Sequence, residues 1–334
     1  MRCGIGKYAF QMARTLQKSG DIVNILALDE GDGDFTTNIR GSFNFLKLGK
    51  YGHFYDKIII QYHQAFFYDD RSWHSAFSVL ATHMSFCISF LLYNRKIEVI
   101  IHEIPCNIAS RIDYILESVK WRLCPKLIFH THKELADFEK YYFKLRPNQY
   151  ELRPAHKYYY KFKDISCENA RKELGIPLNV FVFLCIGFIQ PHKGFDRAIS
   201  AFNRVNDEKM RLYVVGSLRV DWGPFMAHLQ DLKTLAEENS NVNVVDKYLS
   251  DEEFDTWISA CDVVIVPYRE IWSSGVVGRA KLFGKPIISC DVGGLRDQLS
   301  DIDILFNDDE ELELILKCFK YQINTEVSQQ NVYI

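Results

Sequence analysis

The 334-residue sequence predicts an α/β protein made of two parallel-sheet, Rossmann-like domains. Three observations carry that expectation. Apolar runs rich in Val, Ile and Phe alternate with segments of helical period along the whole chain. Most of these runs are continuously apolar, as strands covered on both faces are. The alternation breaks once, near residues 155–175, where Ala155–Lys163 has neither period and Arg171-Lys-Glu-Leu-Gly-Ile-Pro starts afresh. The expected domains are therefore 1–160 and 161–334, with a ligand cleft between them at the carboxyl ends of the strands. With 48% apolar and 25% charged residues, both can have a core.

The first element is a helix opened by Cys3-Gly4-Ile5-Gly6. Ile5, Tyr8, Ala9, Met12, Ala13 and Leu16 share one face of it. A βα unit needs a strand before such a glycine loop, and Met1-Arg2 cannot supply one. The first domain is thus expected to lack its first strand. Either an upstream segment of roughly 8–15 residues would supply it, or another strand would fill the slot. Strands are expected at Ile22–Leu28, Lys57–Tyr62, Ile97–Glu103, Lys126–His130, Val180–Phe188, Arg211–Gly216, Val242–Val245, Val263–Pro267, Pro286–Cys290 and Ile302–Phe306. Ala76–Tyr93 is the most apolar stretch, but Ser78, Thr82, His83, Ser85 and Ser89 interrupt it, which predicts a buried or interfacial helix rather than a membrane span.

Charge and cysteine usage narrow the class. A net charge of −3 argues against a general nucleic-acid binder. Residues 1–165 hold 23 Lys/Arg against 17 Asp/Glu, and the remainder 17 against 26, so the first half is basic and the second acidic. Within residues 120–163 there are 11 Lys/Arg against 4 Asp/Glu, interleaved with Tyr141-Tyr142-Phe143 and Tyr158-Tyr159-Tyr160. That mixture suits peripheral contact with an anionic membrane, and equally a solvated face. Nine cysteines without a Cys-x-x-Cys pair fit a reducing cytoplasm. Met1 runs directly into the glycine loop, so no secretory leader is expected. His130 and His132 have metal-like spacing but no third ligand in sight, and no metal is expected.

Two loops of the second half carry chemistry. After the strand ending at Cys185-Ile186-Gly187, residues Gln190, Pro191, His192 and Lys193 lead through Gly194 into a helix. An anion can meet unpaired N–H groups and the positive end of the dipole there, with Lys193 adding a full charge. The second loop runs from Arg269 to Ser273-Ser274-Gly275 and opens the helix Val276–Phe283, which stops at Gly284-Lys285-Pro286. Either loop alone reads as an ordinary strand–turn–helix.

Together, in this order and about 80 residues apart, they resemble the retaining GT-B glycosyltransferases of family 4, the glycosyl transferases group 1. Gly187–Gly194, Tyr213-Val214-Val215-Gly216, the stretch 251–268 and the Gly284-Lys-Pro-Ile-Ile run match four ordered family landmarks over Arg171–Leu299. Weaker matches in the first half are Gly4-Ile5-Gly6, Ile101-His102-Glu103 and the run from His130. The resemblance implies sugar transfer from a nucleoside diphosphate donor to a glycan or lipid-linked acceptor, with retention, in cell-surface polysaccharide biosynthesis in the cytoplasm or at the inner membrane face. It implies that the 1–160 domain binds acceptor and the 161–334 domain donor. Lys193 and His102 would serve catalysis. The donor diphosphate would meet Gly4, Gly6, Gly187, Lys193, Ser274, Gly275 and Arg279, and the nucleoside Gly216, Asp246, Tyr248 and Glu270. No metal or other cofactor would be needed.

Three departures from the family pattern stand out. Its two glutamates fall here at Ile271 and Arg279, and its arginine after the first glycine is Phe188. Arg279 is donor-only and cannot accept from ribose hydroxyls, so it is expected to turn toward phosphate in place of the missing cation. The third departure is the start of the chain at the glycine loop. These departures leave open a reading from another class, a non-catalytic relative that binds a nucleotide sugar or a partner enzyme.

Overall fold

The computed structural model describes residues 4–28, 31–68, 76–103 and 110–330. Cys3 and Cys106 lie outside them. The chain divides into two compact units, Met1–Tyr158 and Tyr159–Ile334.

In the first unit the elements run α1 (Gly4–Lys18), β1 (Leu26–Ala27), β2 (Phe35–Thr36), α2 (Gly49–Gly52), β3 (Ile58–Tyr62), α3 (Gln64–Phe67) and α4 (Ala76–Leu92). They continue with β4 (Ile97–Ile101), α5 (Arg111–Leu123), β5 (Leu127–Phe129), α6 (His132–Tyr141) and β6 (Tyr150–Leu152). Strands β3-β4-β5-β6 form one parallel sheet, while β1 and β2 pair separately. Among the described residues no strand precedes α1. The buried face of α1 carries Tyr8, Gln11, Met12 and Ala13, and Gln61 on β3 donates to Met12 Sδ at 3.6 Å. Central β4 is buried along its whole length, as its unbroken Ile-Glu-Val-Ile-Ile run requires. Its one carboxylate, Glu98, is compensated by Arg153 (2.9 Å) and Lys57 (2.9 Å).

The second unit runs α7 (Cys167–Leu174), β7 (Phe181–Ile186), α8 (Phe195–Val205), β8 (Met210–Gly216), α9 (Gly223–Glu237), β9 (Val242–Asp246) and α10 (Asp251–Ala260). It continues with β10 (Val263–Val266), α11 (Gly275–Leu282), β11 (Ile287–Cys290), α12 (Leu295–Gln298), β12 (Ile304–Phe306) and α13 (Asp309–Gln330). All six strands are parallel in the order β12-β11-β10-β7-β8-β9. The chain fills one half of the sheet outward from β7, then the other outward from β10, a doubly wound arrangement. Its core is aliphatic and aromatic, with Phe183, Leu184, Phe195, Phe202, Val264 and Leu316 fully buried. Among the described residues seven cysteines are free thiols, and no helix is long and apolar enough to cross a membrane.

Candidate donor site in the second unit

In a doubly wound sheet the crevice opens where the winding reverses, outside the carboxyl ends of the two central strands. Those strands are β7 and β10, paired through Val263–Phe183 and Val264–Leu184. Both loops singled out above leave the sheet at this point. The first turns at Gly187, whose φ of 130° favours glycine. A Cβ there would lie 3.7 Å from Val276 Cγ2, so the start of α11 is its neighbour. The loop then makes a short 3₁₀ turn, Pro191–Lys193, and ends at Gly194 with φ 62°. Here a Cβ would come within 2.1 Å of Pro267 O. The second loop returns the contact: Arg269 N–H donates to His192 O (2.8 Å), and its guanidinium spans Pro191 O (3.0 Å) and both Asp196 oxygens (2.8 and 2.6 Å).

These pins bring Gly187 to the start of α11 and the first loop's Lys193 to Tyr268 at the head of the second. Lys193 Nζ sits 3.9 Å from the centroid of the buried Tyr268 ring. No carboxylate pairs with Lys193 among the described residues. Burial pushes its pKa down to about 8, so it remains mostly protonated at neutral pH while lacking a counter-ion. Ser274 stands at the N-cap position of α11 without a side-chain capping bond, and Gln298 grips its backbone at both N–H (2.7 Å) and O (3.2 Å). The first bond of α11 is Gly278 N–H to Ser274 O (3.3 Å). The amides of Gly275, Val276 and Val277 precede it and lack intrahelical partners. An uncompensated cation and an amide-rich helix start can together receive an anion.

The remaining expected residues are distributed more widely. Gly216 ends β8 so close to Gly187 that a Cβ would lie 1.7 Å from Gly187 O. Asp246 ends β9 and pairs with Lys233 (3.2 Å); Tyr248 is exposed just beyond it. Glu270 lines an open depression of about 460 Å³ with Pro191, His192, Asp196, His228 and Arg269. His228, on α9, and Asp196, on α8, were given no role by the sequence, and Arg269 entered only as the start of the second loop. Only the spatial meeting of α8, α9 and the second loop reveals them.

Arg279 requires a correction. It does not turn toward the loop but is buried, with its guanidinium on Asp255 and Asp251 and stacked near the rings of Phe162 and Phe254 (5.1 Å each). Asp255 is fully buried and also accepts from the amides of Phe162 (2.6 Å) and Lys163 (3.1 Å). A buried carboxylate demands a cation, and Arg279 is that cation. The small residues of α11 also have another use. A Cβ on Gly278 would lie 2.3 Å from Tyr159 Cε2 and one on Gly275 3.2 Å from its hydroxyl, so the two glycines seat that ring. Ile271, at a position where glutamate was the family expectation, packs against the core.

In the first unit, His102 follows β4. Its Nε2 donates to Gln61 Oε1 (2.7 Å), and its ring lies near Tyr8 (5.6 Å) and His130 (5.5 Å). Burial first, then His130 and His63, hold its pKa well below the usual value, so the imidazole is neutral. His130 donates from Nδ1 to Arg153 O (2.8 Å), leaving Nε2 buried and unpaired. Gly4 and Gly6 open α1. Among the described residues no group of three or more His, Cys, Asp or Glu is placed to hold a metal. The basic 120–163 segment is less available than its sequence count suggests. Lys120 is buried, and Lys126, Lys133, Arg153, Lys161 and Lys163 each pair with a carboxylate.

The fold and the switch-point loops define an α/β protein of two Rossmann-like units, the GT-B class of glycosyltransferase architecture. Residues 180–318 match the family Glycosyl transferases group 1. Sucrose-phosphate synthase from Thermosynechococcus elongatus superposes with a TM-score of 0.68 over 96% of this chain and 85% of its own, at 16% identity. Anabaena Alr3699/HepE in complex with UDP-glucose does so with 0.67 over 98% and 87%, also at 16% identity. By sequence, the GDP-mannose:glycolipid 4-beta-D-mannosyltransferase of Xanthomonas campestris is 24% identical over 106 residues, 32% of this chain and 29% of that protein. The D-inositol 3-phosphate glycosyltransferase of Corynebacterium aurimucosum is 29% identical over 217 residues, 59% of this chain and 50% of that protein. The chain thus spans between about a third and a half of the length of these relatives.

Proposed function

We propose that the protein is a family 4 glycosyltransferase that transfers a sugar from a nucleoside diphosphate donor to a glycan or lipid-linked acceptor, with retention and without a metal. The observation that carries this reading is Lys193, a buried lysine in the first switch-point loop, lying over the Tyr268 ring of the second with no carboxylate partner among the described residues. In the proposed reaction an acceptor oxygen bonds to the anomeric carbon on the face from which the diphosphate leaves. The anomeric C–O bond to phosphate breaks, and the acceptor proton passes to the departing phosphate oxygen. Lys193 and the amides of Gly275 and Val276 stabilise the charge that grows on the diphosphate. Gly187 and Gly216 let the donor approach backbone closely. Asp246, Tyr248 and Glu270 are assigned to the nucleoside, His102 to the transferred sugar, and Gly4 and Gly6 to the phosphate. The anion-receiving geometry and the UDP-glucose bound by Alr3699/HepE support a nucleotide-sugar donor.

Calorimetric titration with UDP and GDP tests the site. Lys193→Ala is expected to weaken binding by about 1.5–3 kcal/mol, the range for a charge-assisted hydrogen bond. Unchanged affinity would remove Lys193 from the site. A second reading, a non-catalytic nucleotide-sugar binder, is favoured by one feature: neither Ile271 nor the ion-paired Arg279 can accept from a sugar hydroxyl. Turnover separates the two.

A further inference from the structure

Helices α4 and α5 of the first unit each bury polar side chains and turn an apolar stripe to water. Helix α4 has 17 residues and no Asp, Glu, Lys or Arg. Its polar side chains point inward: Thr82, His83, Ser85 and Ser89 are each at most 3% exposed. Phe86 and Phe90 also point inward, but five other large apolar side chains point outward, with Phe77 at 70%, Leu91 at 61% and Leu92 at 68% exposure, and Leu80 and Met84 also exposed. Helix α5 repeats the pattern. Glu117 and Lys120 are buried, whereas Ile112, Ile115 and Val119 are exposed.

The buried polar groups lock the two helices together. His83 Nε2 meets Glu117 Oε1 at 3.0 Å, and Lys120 Nζ meets the same oxygen at 2.8 Å and Tyr62 Oη at 2.8 Å. The outward orientation is therefore fixed by the interior, and the exposed residues cannot rotate inward without leaving Glu117 and Lys120 unpaired. On each helix the exposed apolar residues recur at i, i+3 and i+7 (Phe77, Leu80 and Met84; Ile112, Ile115 and Val119), so each presents one continuous stripe.

The rim of this surface is cationic. Arg95 just beyond α4, and Arg111 and Arg122 at the two ends of α5, are exposed. Neither helix presents an exposed carboxylate, since Asp113 is half-buried and accepts from Ser110 Oγ (2.7 Å). Helices with an apolar outer face and arginines at its edge fit the boundary between acyl chains and anionic headgroups. A second copy would bring like-charged rims together. Neither helix is long and apolar enough to cross a bilayer, so both would lie along it.

We propose that the outer face of α4 and α5 is a docking surface for an anionic lipid bilayer, with both helices lying in the headgroup plane. The surface belongs to the first unit alone and is independent of the donor reading. The test is flotation of the full chain with phosphatidylcholine vesicles, with and without phosphatidylglycerol, at low ionic strength. The wild type is expected to float with the anionic vesicles. The triple variant Phe77→Ser, Leu91→Ser, Ile112→Ser changes only exposed side chains, and its folding is checked by circular dichroism and by UDP or GDP affinity. It should lose binding about ten-fold or more. Arg111→Gln with Arg122→Gln should weaken binding to the anionic vesicles by about ten-fold. Wild-type protein that ignores both vesicles, or a folded triple variant that floats equally well, would overturn the proposal. A lipid-free dimer that the triple variant converts to monomer, without vesicle binding by the wild type, would assign the face to a second copy instead.

Discussion

Lys193 and Arg279 are both cations of the second unit, and their neighbours give them opposite fates. Lys193 lies against an aromatic ring without a carboxylate, and its pKa falls to about 8. A bound diphosphate would raise that pKa, so binding takes up a proton where the unliganded lysine is neutral. Affinity for UDP or GDP is therefore expected to hold below about pH 8 and to fall as pH rises through it. Calorimetry in buffers of different ionisation enthalpy at pH 9 should register the proton uptake; the Lys193→Ala variant should not. Arg279, by contrast, neutralises buried Asp255. Arg279→Glu would leave three carboxylates together, and a loss of about 3–5 kcal/mol in urea unfolding is expected. Undiminished stability would contradict the structural role assigned to it. The sequence showed that position 279 departs from the family pattern. It could not show why, because the reason is Asp255, 24 residues earlier on another helix.

Among the elements, those read most readily from sequence are the buried ones. The continuous runs at β4, β5, β7, β8 and β10 are strands because both faces are covered, and periodicity reports that directly. Strands β2 and β6 gave no such signal. Phe35-Thr36 is exposed on both residues. Tyr150-Glu151-Leu152 is an edge strand, stitched on by Glu151 to Lys126 (2.7 Å) and by the following Arg153 to Glu98 on β4 (2.9 Å) rather than by an apolar face. The strand expected over Ile22–Leu28 shrinks to Leu26–Ala27, and Ile22 is 91% exposed. The two switch-point loops were legible as strand–glycine–helix junctions, but their mutual pinning was not. Gly216 shows the pinning most sharply. Gly216→Ala would place Cβ 1.7 Å from Gly187 O, so the ends of β7 and β8 must separate. A lower melting temperature together with weaker nucleotide binding is expected, while Gly284→Ala, whose Cβ meets nothing within 4 Å but whose φ of 63° strains a side chain, should lower the melting temperature without weakening nucleotide binding.

For the whole molecule, the sequence anticipated two α/β units and the charge contrast between the halves. It overstated the free cations of the first half, because six in the 120–163 segment are buried or paired. It also hid which side of α4 meets solvent, since a helix without charged residues reads the same whichever side does. The central claim is sugar transfer from a donor held by the second unit. The most direct measurement is release of nucleoside diphosphate from a panel of UDP-, GDP- and ADP-sugars, with and without candidate acceptors. Release from at least one donor by the wild type, absent in Lys193→Ala, with a product of unchanged anomeric configuration by NMR, is the expected result. Tight donor binding without release across the panel would contradict it and mark the protein as a nucleotide-sugar binder.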